Sequence, residues 1–181
     1  IIVIDDNSPD KTFEIVNSSY SYNDNILSFI RKEDRGFAKS ILYGIHKSKG
    51  EYIIVMDSDG THEPKEILNL YHIGQKYDLV SASRFCSGGK MTSRNHYLIS
   101  FFYNLVLRIV LNTQVQDNLG GFYIIRRKKL LELPLESIFR GYGDYYFRLL
   151  AYVKDKGLSI VEIPAEYVLR KAGKSKSNWL K

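Results

Sequence analysis

The feature that most limits what this chain can fold into is the way its apolar runs end. Ile1–Ile4 runs into Asp5-Asp6, and Tyr52–Met56 runs into Asp57-Ser58-Asp59. Short apolar runs rich in β-branched residues read as buried strands, and here each is followed by an amphipathic stretch. Thr12–Val16 begins a helix, and Ile26–Ile30 is a second strand. Phe37–Lys47 has Phe37, Ile41 and Ile45 at helical spacing, with Ala38 and Leu42 beside them, and ends near Gly50. After the Tyr52–Met56 strand, Pro64 suits a first helical turn, Lys65–Gln75 carries the helix and Leu79–Ser83 is a fourth strand. Strand–helix alternation predicts an α/β domain with a mostly parallel sheet. In such sheets ligands bind beyond the C-terminal strand ends, where both acidic turns fall.

The second half is less regular. Tyr97–Leu111 is a long apolar helix, Phe122–Ile125 a strand, Arg126 to Lys129 a basic run and Tyr145–Lys154 a helix. Ser159–Ile163 and Tyr167–Leu169 are short strands. No repeat or linker divides the chain, so residues 1–170 are expected to form one domain and residues 171–181 a basic, loose tail. With 44% hydrophobic and 25% charged residues the 181-residue chain is globular, not disordered. A single cysteine, Cys86, excludes an internal disulfide framework and a multi-cysteine zinc site. The net charge of +6 favours an anionic partner. No run reaches the ~18–20 apolar residues of a membrane span, and no secretory signal is read. A chain that opens on Ile1-Ile2-Val3-Ile4 with no initiating Met is expected to be a fragment.

Two carboxylates two residues apart at a strand end can share one hard cation, and Mg²⁺ or Mn²⁺ often completes its shell with substrate phosphates. The plainer role for Asp57 and Asp59 is turn formation before the next helix. Asp6 to Thr12 is turn chemistry and a helix start, to which a nucleoside-binding carboxylate can be added. Arg84 ends the fourth strand, Arg94 follows a Gly88-Gly89 turn, and Arg170, Lys171, Lys174 and Lys176 cluster near the end. Such side chains suit a diphosphate, although each alone is an ordinary surface cation. Asp117 and Gly120-Gly121 precede a strand, where the glycines permit close backbone approach or a plain turn. The helix at Leu98–Leu111 is apolar almost all round, interrupted by Asn104 and Arg108. It is either a core helix or one that lies on a bilayer or on membrane segments. His46, His62, His72 and His96 have no metal spacing, and Cys86 has no base partner.

Taken in order, Ile1 to Thr12, Arg35-Gly36-Phe37-Ala38, Asp57 to Pro64, Ser83-Arg84-Phe85, Arg94, Asp117 to Phe122 and Arg170 to Lys176 resemble the inverting family 2 glycosyltransferases. Within them the resemblance is to the subgroup of dolichyl-phosphate mannosyltransferase and bacterial polyprenyl-phosphate glycosyltransferases. It implies a GT-A fold, lacking its first strand here, and a catalytic domain over residues 1–170. A nucleotide-sugar donor (UDP- or GDP-linked), a divalent cation and a polyprenyl-phosphate acceptor at the cytoplasmic face of a membrane are implied as well. Asp57 and Asp59 match the metal and diphosphate positions, with Thr61 where relatives often carry Gln. Asp5, Asp6 and Ser58 match the nucleotide turn. Arg84, Arg94, Asp117, Arg170 and Lys176 match positions that bind donor or acceptor phosphate. Gly120 stands where relatives often carry Ser. An ionised acceptor phosphate needs no strong base; a saccharide hydroxyl would, and Asp144 is the candidate.

Two other classes compete. A receiver domain also places acidic residues after its first strand and a phosphoacceptor near position 57, but this chain is longer and no suitable Lys follows a fifth strand. A nucleic-acid module would explain the charge, but the basic residues follow no helix face and no such motif occurs, so no nucleic-acid partner is expected.

Overall fold

A computed structural model describes residues 1–92 and 94–168. In chain order the elements are β1 (Ile2–Asp5), α1 (Thr12–Tyr20), β2 (Leu27–Ile30), α2 (Phe37–Lys47), β3 (Tyr52–Val55), α3 (Glu66–Gly74), β4 (Leu79–Ser83) and β5 (Lys90–Met91). There follow α4 (Arg94–Val110), β6 (Tyr123–Arg126), α5 (Arg127–Leu131), α6 (Leu135–Ile138), α7 (Tyr145–Asp155), β7 (Ile160–Pro164) and β8 (Glu166–Tyr167). Through residue 168 the expected strands and helices are present, several shifted by one to three residues at an end; Leu169, the expected end of the last strand, and the tail at 171–181 lie outside the described residues.

Strands β1 and β2 pair in parallel, with Ile2 opposite Leu27. A four-stranded sheet has the order β3-β6-β4-β7, and β5 pairs with β8. The expectation of a mostly parallel sheet needs one correction: β6 runs antiparallel to both β3 and β4. The cause is where β6 begins. Tyr123 lies opposite Val55 and Ser81, near the C-terminal ends of β3 and β4. The preceding Asp117–Gly121 loop therefore sits at the ligand edge, and a strand starting there must run back across the sheet. Since β7 is parallel to β4, three of the four strands still point the same way. Asp57 and Arg84 consequently leave the sheet at one edge.

The period of two sends alternate strand residues to opposite faces. Tyr123 and Ile125 join Ala38, Leu42 and Ile45 of α2 and Leu149 and Val153 of α7. Phe122 and Ile124 join Val80, Ala82 and Leu70 on the other side. Covered on both faces, β4 (Leu79-Val80-Ser81-Ala82-Ser83) is buried along its whole length and β6 is buried up to Arg126, so neither shows the alternation of a half-exposed strand. Each such aliphatic side chain contributes about 1.5–3 kcal/mol on burial.

Helix α4 overturns the core-helix reading. Asn104 is buried, whereas Phe102 (62% exposed), Ile109 (72%) and Val110 (73%) face outward along with Leu98, Ile99 and Val106. The helix is held by polar bonds and rings instead of an apolar seam. Asn104 Oδ1 accepts the Asn118 N–H at 2.6 Å, and Phe85 packs on Tyr97 and Phe101.

Candidate functional site

The loop after β3 is a short acidic turn whose shape is fixed from inside. Asp59 Oδ1 accepts both the Thr61 N–H (3.0 Å) and the Thr61 hydroxyl (2.7 Å), an Asx turn closed by Gly60 at φ 79°. The turn-forming role therefore holds for Asp59, and Thr61 serves that carboxylate. His62 folds back under the loop. Its Nδ1 accepts the Asp57 N–H at 3.0 Å, which assigns the ring proton to Nε2. The ring is buried, stacked on Phe122 (4.8 Å between centroids, 12°) and edge-on to Tyr167 (4.6 Å). Burial lowers the His62 pKa to about 4, with opposing influence from Asp59, so the imidazole is a neutral acceptor near pH 7. Ser58 is exposed at the tip of the turn.

Tyr167 connects this turn to the end of β4. Its hydroxyl donates toward Gly120 O (3.2 Å) and Ala82 O (3.4 Å), and its ring lies under the Arg84 guanidinium at 4.9 Å. Arg84 is buried and bidentate on Asp117: Nε reaches Oδ2 and Nη2 reaches Oδ1, both at 2.7 Å. The Arg84 backbone N–H also donates to Oδ2 at 3.1 Å. Burial opposes the Arg84 charge, but Asp117 outweighs it, and the pKa is raised. Arg84 and Asp117, each expected to meet phosphate, thus meet each other. Gly120 is needed here for close approach, because a Cβ would lie 3.2 Å from Tyr167 Oη and 3.3 Å from Asp117 Cγ.

Asp5 and Asp6 build the turn after β1. Asp5 accepts the Ser8 N–H (3.1 Å) and, with Oδ2, the Phe13 N–H (3.3 Å), so the strand end supplies the cap of α1. The expected Asx turn is present two residues before Thr12, where Asp10 Oδ1 takes the Thr12 N–H and hydroxyl. Asp6 bridges Arg31 Nη1 (2.8 Å) and the Gly36 N–H (2.7 Å), tying β1 to the end of β2 and the start of α2. Both carboxylates shape the loop that the sequence marks for a nucleoside.

Asp144 is a poor general base. Burial would raise its pKa, but Arg148 and the Tyr142 N–H (2.7 Å) bind the carboxylate and hold the pKa below the ordinary value. Burial pushes the Cys86 thiol up, which agrees with a structural role. Arg94 opens α4 with its side chain outside the described residues; Arg170 and Lys176 lie outside them too.

No group of three or more His, Cys, Asp or Glu side chains able to hold a metal occurs among the described residues. The donor set still fits the cation expected from the sequence. Asp57 and Asp59 offer hard oxygens on an exposed-edge turn, which suits an ion that takes its other ligands from diphosphate and water. His62 does not fit as a ligand, since its Nδ1 holds the Asp57 N–H. Sequence reasoning missed His62 and Tyr167 as organisers of the turn. The available signal was a histidine directly after an acidic turn that itself ends a buried strand.

The pattern described as Glycosyl transferase family 2 matches residues 1–133. An undecaprenyl-phosphate mannosyltransferase of Micrococcus luteus is 32% identical over 97% of this chain and 74% of its own length. A dolichol-phosphate mannosyltransferase of Pyrococcus furiosus is 29% identical over 97% of this chain, which spans 50% of that relative. Among solved structures, a glucosyl-3-phosphoglycerate synthase of Mycobacterium tuberculosis, in complex with Mn²⁺, UDP-glucose and phosphoglyceric acid, superposes with a TM-score of 0.68 at 20% identity, covering 97% of this chain and 61% of that one. That likeness shows the fold, a GT-A arrangement in which a mixed sheet presents its acidic turn at the C-terminal strand edge. Matched across its first 133 residues, with the acidic turn and the Arg84–Asp117 pair at one sheet edge, the chain belongs to glycosyl transferase family 2.

Proposed function

We propose that this chain carries the donor site of a glycosyltransferase that moves a sugar from a nucleoside-diphosphate sugar to a polyprenyl phosphate with inversion. The observation that carries the reading is the shared hub: His62 and Tyr167 hold the Asp57–Asp59 turn beside the Arg84–Asp117 pair. An acidic turn suited to a metal–diphosphate thus adjoins a buried arginine. The names of the curated relatives support a polyprenyl-phosphate acceptor and make mannose the first sugar to test.

The chemistry is in-line displacement. An acceptor phosphate oxygen forms a bond to the anomeric carbon as the bond from that carbon to the diphosphate oxygen breaks. The pair leaves on the nucleoside diphosphate, and no proton has to move, because the acceptor phosphate is already ionised. A divalent cation bound by Asp57 and Asp59 would supply charge neutralisation on the diphosphate. The protein supplies the rest by positioning and by fixed charge. The turn built by Asp5 and Asp6 receives the nucleoside, with Ser58 beside the diphosphate. Arg84, with Arg94, Arg170 and Lys176, attracts the two phosphates. The binding of Asp144 by Arg148 favours this route over a saccharide hydroxyl acceptor, which needs a base.

A lipid acceptor calls for a membrane surface. No described helix is long and apolar enough to cross a membrane. Helix α4 instead offers an exposed apolar face next to Phe85, and no Asp or Glu occurs between Asp78 and Asp117, while the exposed Lys90 and Arg108 do. Such a surface suits an anionic bilayer interface. The test is incubation with labelled GDP-mannose or UDP-glucose and polyprenyl phosphate in detergent micelles. Label extracted with the lipid, at an inverted anomeric centre, is the expected result. Label on an added saccharide, with none on lipid, would replace the acceptor in this account.

A further inference from the structure

The buried imidazole of His62 has no part in the chemistry above, yet it contacts the acidic turn, Phe122 and Tyr167 at once. Its Nδ1 accepts the Asp57 N–H (3.0 Å), and its backbone forms an antiparallel bridge with Tyr167. Beside it the Val168 N–H donates to Thr61 O at 3.1 Å. The Tyr167 carbonyl in turn accepts the Thr92 N–H at 3.2 Å. The rings of Phe122, His62 and Tyr167 and the guanidinium of Arg84 form one continuous chain of contacts, stacked at Phe122–His62 and edge-on at His62–Tyr167, each member within 5 Å of the next.

We propose that His62 is a positioning residue of the donor site: its Nδ1 fixes the Asp57 backbone and thereby the direction in which the Asp57 and Asp59 carboxylates are presented, and its ring registers that turn on Tyr167 and Arg84. This rests on the donor-site reading. The two functions of the side chain are separable by substitution. Asparagine places an oxygen acceptor at the same bond count from Cα as Nδ1 but has no ring. Phenylalanine keeps the stack between Phe122 and Tyr167 but offers no acceptor, leaving the Asp57 N–H without its partner.

The experiment measures Mn²⁺ binding to wild type, His62→Asn and His62→Phe by electron spin resonance of free Mn²⁺ in the presence of GDP or UDP, with melting temperature and Asp57 amide exchange recorded on the same samples. Groups that orient metal-binding carboxylates change affinity by about tenfold or more when lost. His62→Phe is expected to weaken Mn²⁺ binding by that factor and to expose the Asp57 amide while melting near wild type. His62→Asn is expected to stay within about threefold in Mn²⁺ affinity even where its melting temperature falls more, because one hydrogen bond is kept. A phenylalanine variant that binds Mn²⁺ as wild type does would overturn the positioning role. So would losses that track melting temperature alone in both variants. Wild type that binds neither Mn²⁺ nor nucleotide would overturn the donor-site reading, and this inference with it.

Discussion

Replacing Asp117 by alanine removes the partner of a cation that cannot leave. Arg84 is 8% exposed and Asp117 fully buried, and the carboxylate accepts from Arg84 Nε, Nη2 and backbone N–H and from the Leu119 N–H (3.3 Å). Breaking a buried pair from one side costs about 3–5 kcal/mol, because the remaining charge has neither partner nor water. For a domain of this size each kcal/mol moves the melting temperature by about 2–4 °C, so a drop on the order of 10 °C is expected. The double variant Arg84→Met/Asp117→Leu removes both charges and should recover part of that loss. It should not recover all of it: the Arg84 and Leu119 amides still lack their acceptor, at about 1 kcal/mol each. Thermal and urea melts followed by circular dichroism, arranged as a double-mutant cycle, measure all three values. Asp117→Ala within about 1 kcal/mol of wild type, or a double variant no better than the single, would refute the argument that the pair is held as a buried ion pair.

Three further outcomes follow from the geometry. Gly89→Ala places a Cβ 2.5 Å from Ser83 O and 2.6 Å from the Arg84 carbonyl, backbone that cannot swing aside, so a loss of about 1–3 kcal/mol is expected, whereas Gly143→Ala, which meets nothing within 4 Å, should show no such clash. Asp78 accepts the Ser159 N–H and hydroxyl, and although burial opposes it these bonds hold its pKa below 3.8. Its stabilisation is therefore complete above that value and lost as pH falls through the lower folded value, so Ser159→Ala should flatten the acid limb of a stability–pH curve. Phe102→Ser with Ile109→Ser should weaken binding to phosphatidylglycerol-containing vesicles by about tenfold or more with little change in melting temperature, since both side chains are exposed; unchanged flotation would remove α4 from the membrane surface.

The legible parts of the fold were those in which local pattern and burial agree. The bounds of α2 and β4 match the periodicity because each packs its whole apolar pattern on the core. Periodicity carries no direction, so it could not show that β6 runs against its neighbours; that follows from where the Asp117–Gly121 loop lies. Nor does hydrophobicity say what covers a residue. α4 is as apolar as a core helix, yet among its described side chains the one that is buried is Asn104, the polar break in its pattern. At the site, the sequence marked the acidic turns but not which distant groups their carboxylates hold. Asp5, Asp6 and Asp59 shape their own loops, and Arg84 and Asp117, read separately as phosphate contacts, form one pair across 33 residues. His62 passed as one of four unremarkable histidines because burial and stacking partners come from distant segments, β8 among them.

The central claim is that the Asp57–Asp59 turn receives a nucleoside diphosphate together with a divalent cation. Calorimetric titration of the chain with GDP and with UDP, with and without Mn²⁺, tests it directly. Mn²⁺-dependent binding of one nucleotide is expected, abolished in Asp57→Ala and Asp59→Ala while both variants still melt cooperatively. Binding that is indifferent to Mn²⁺ and to both substitutions, or no binding by the folded chain, would contradict it.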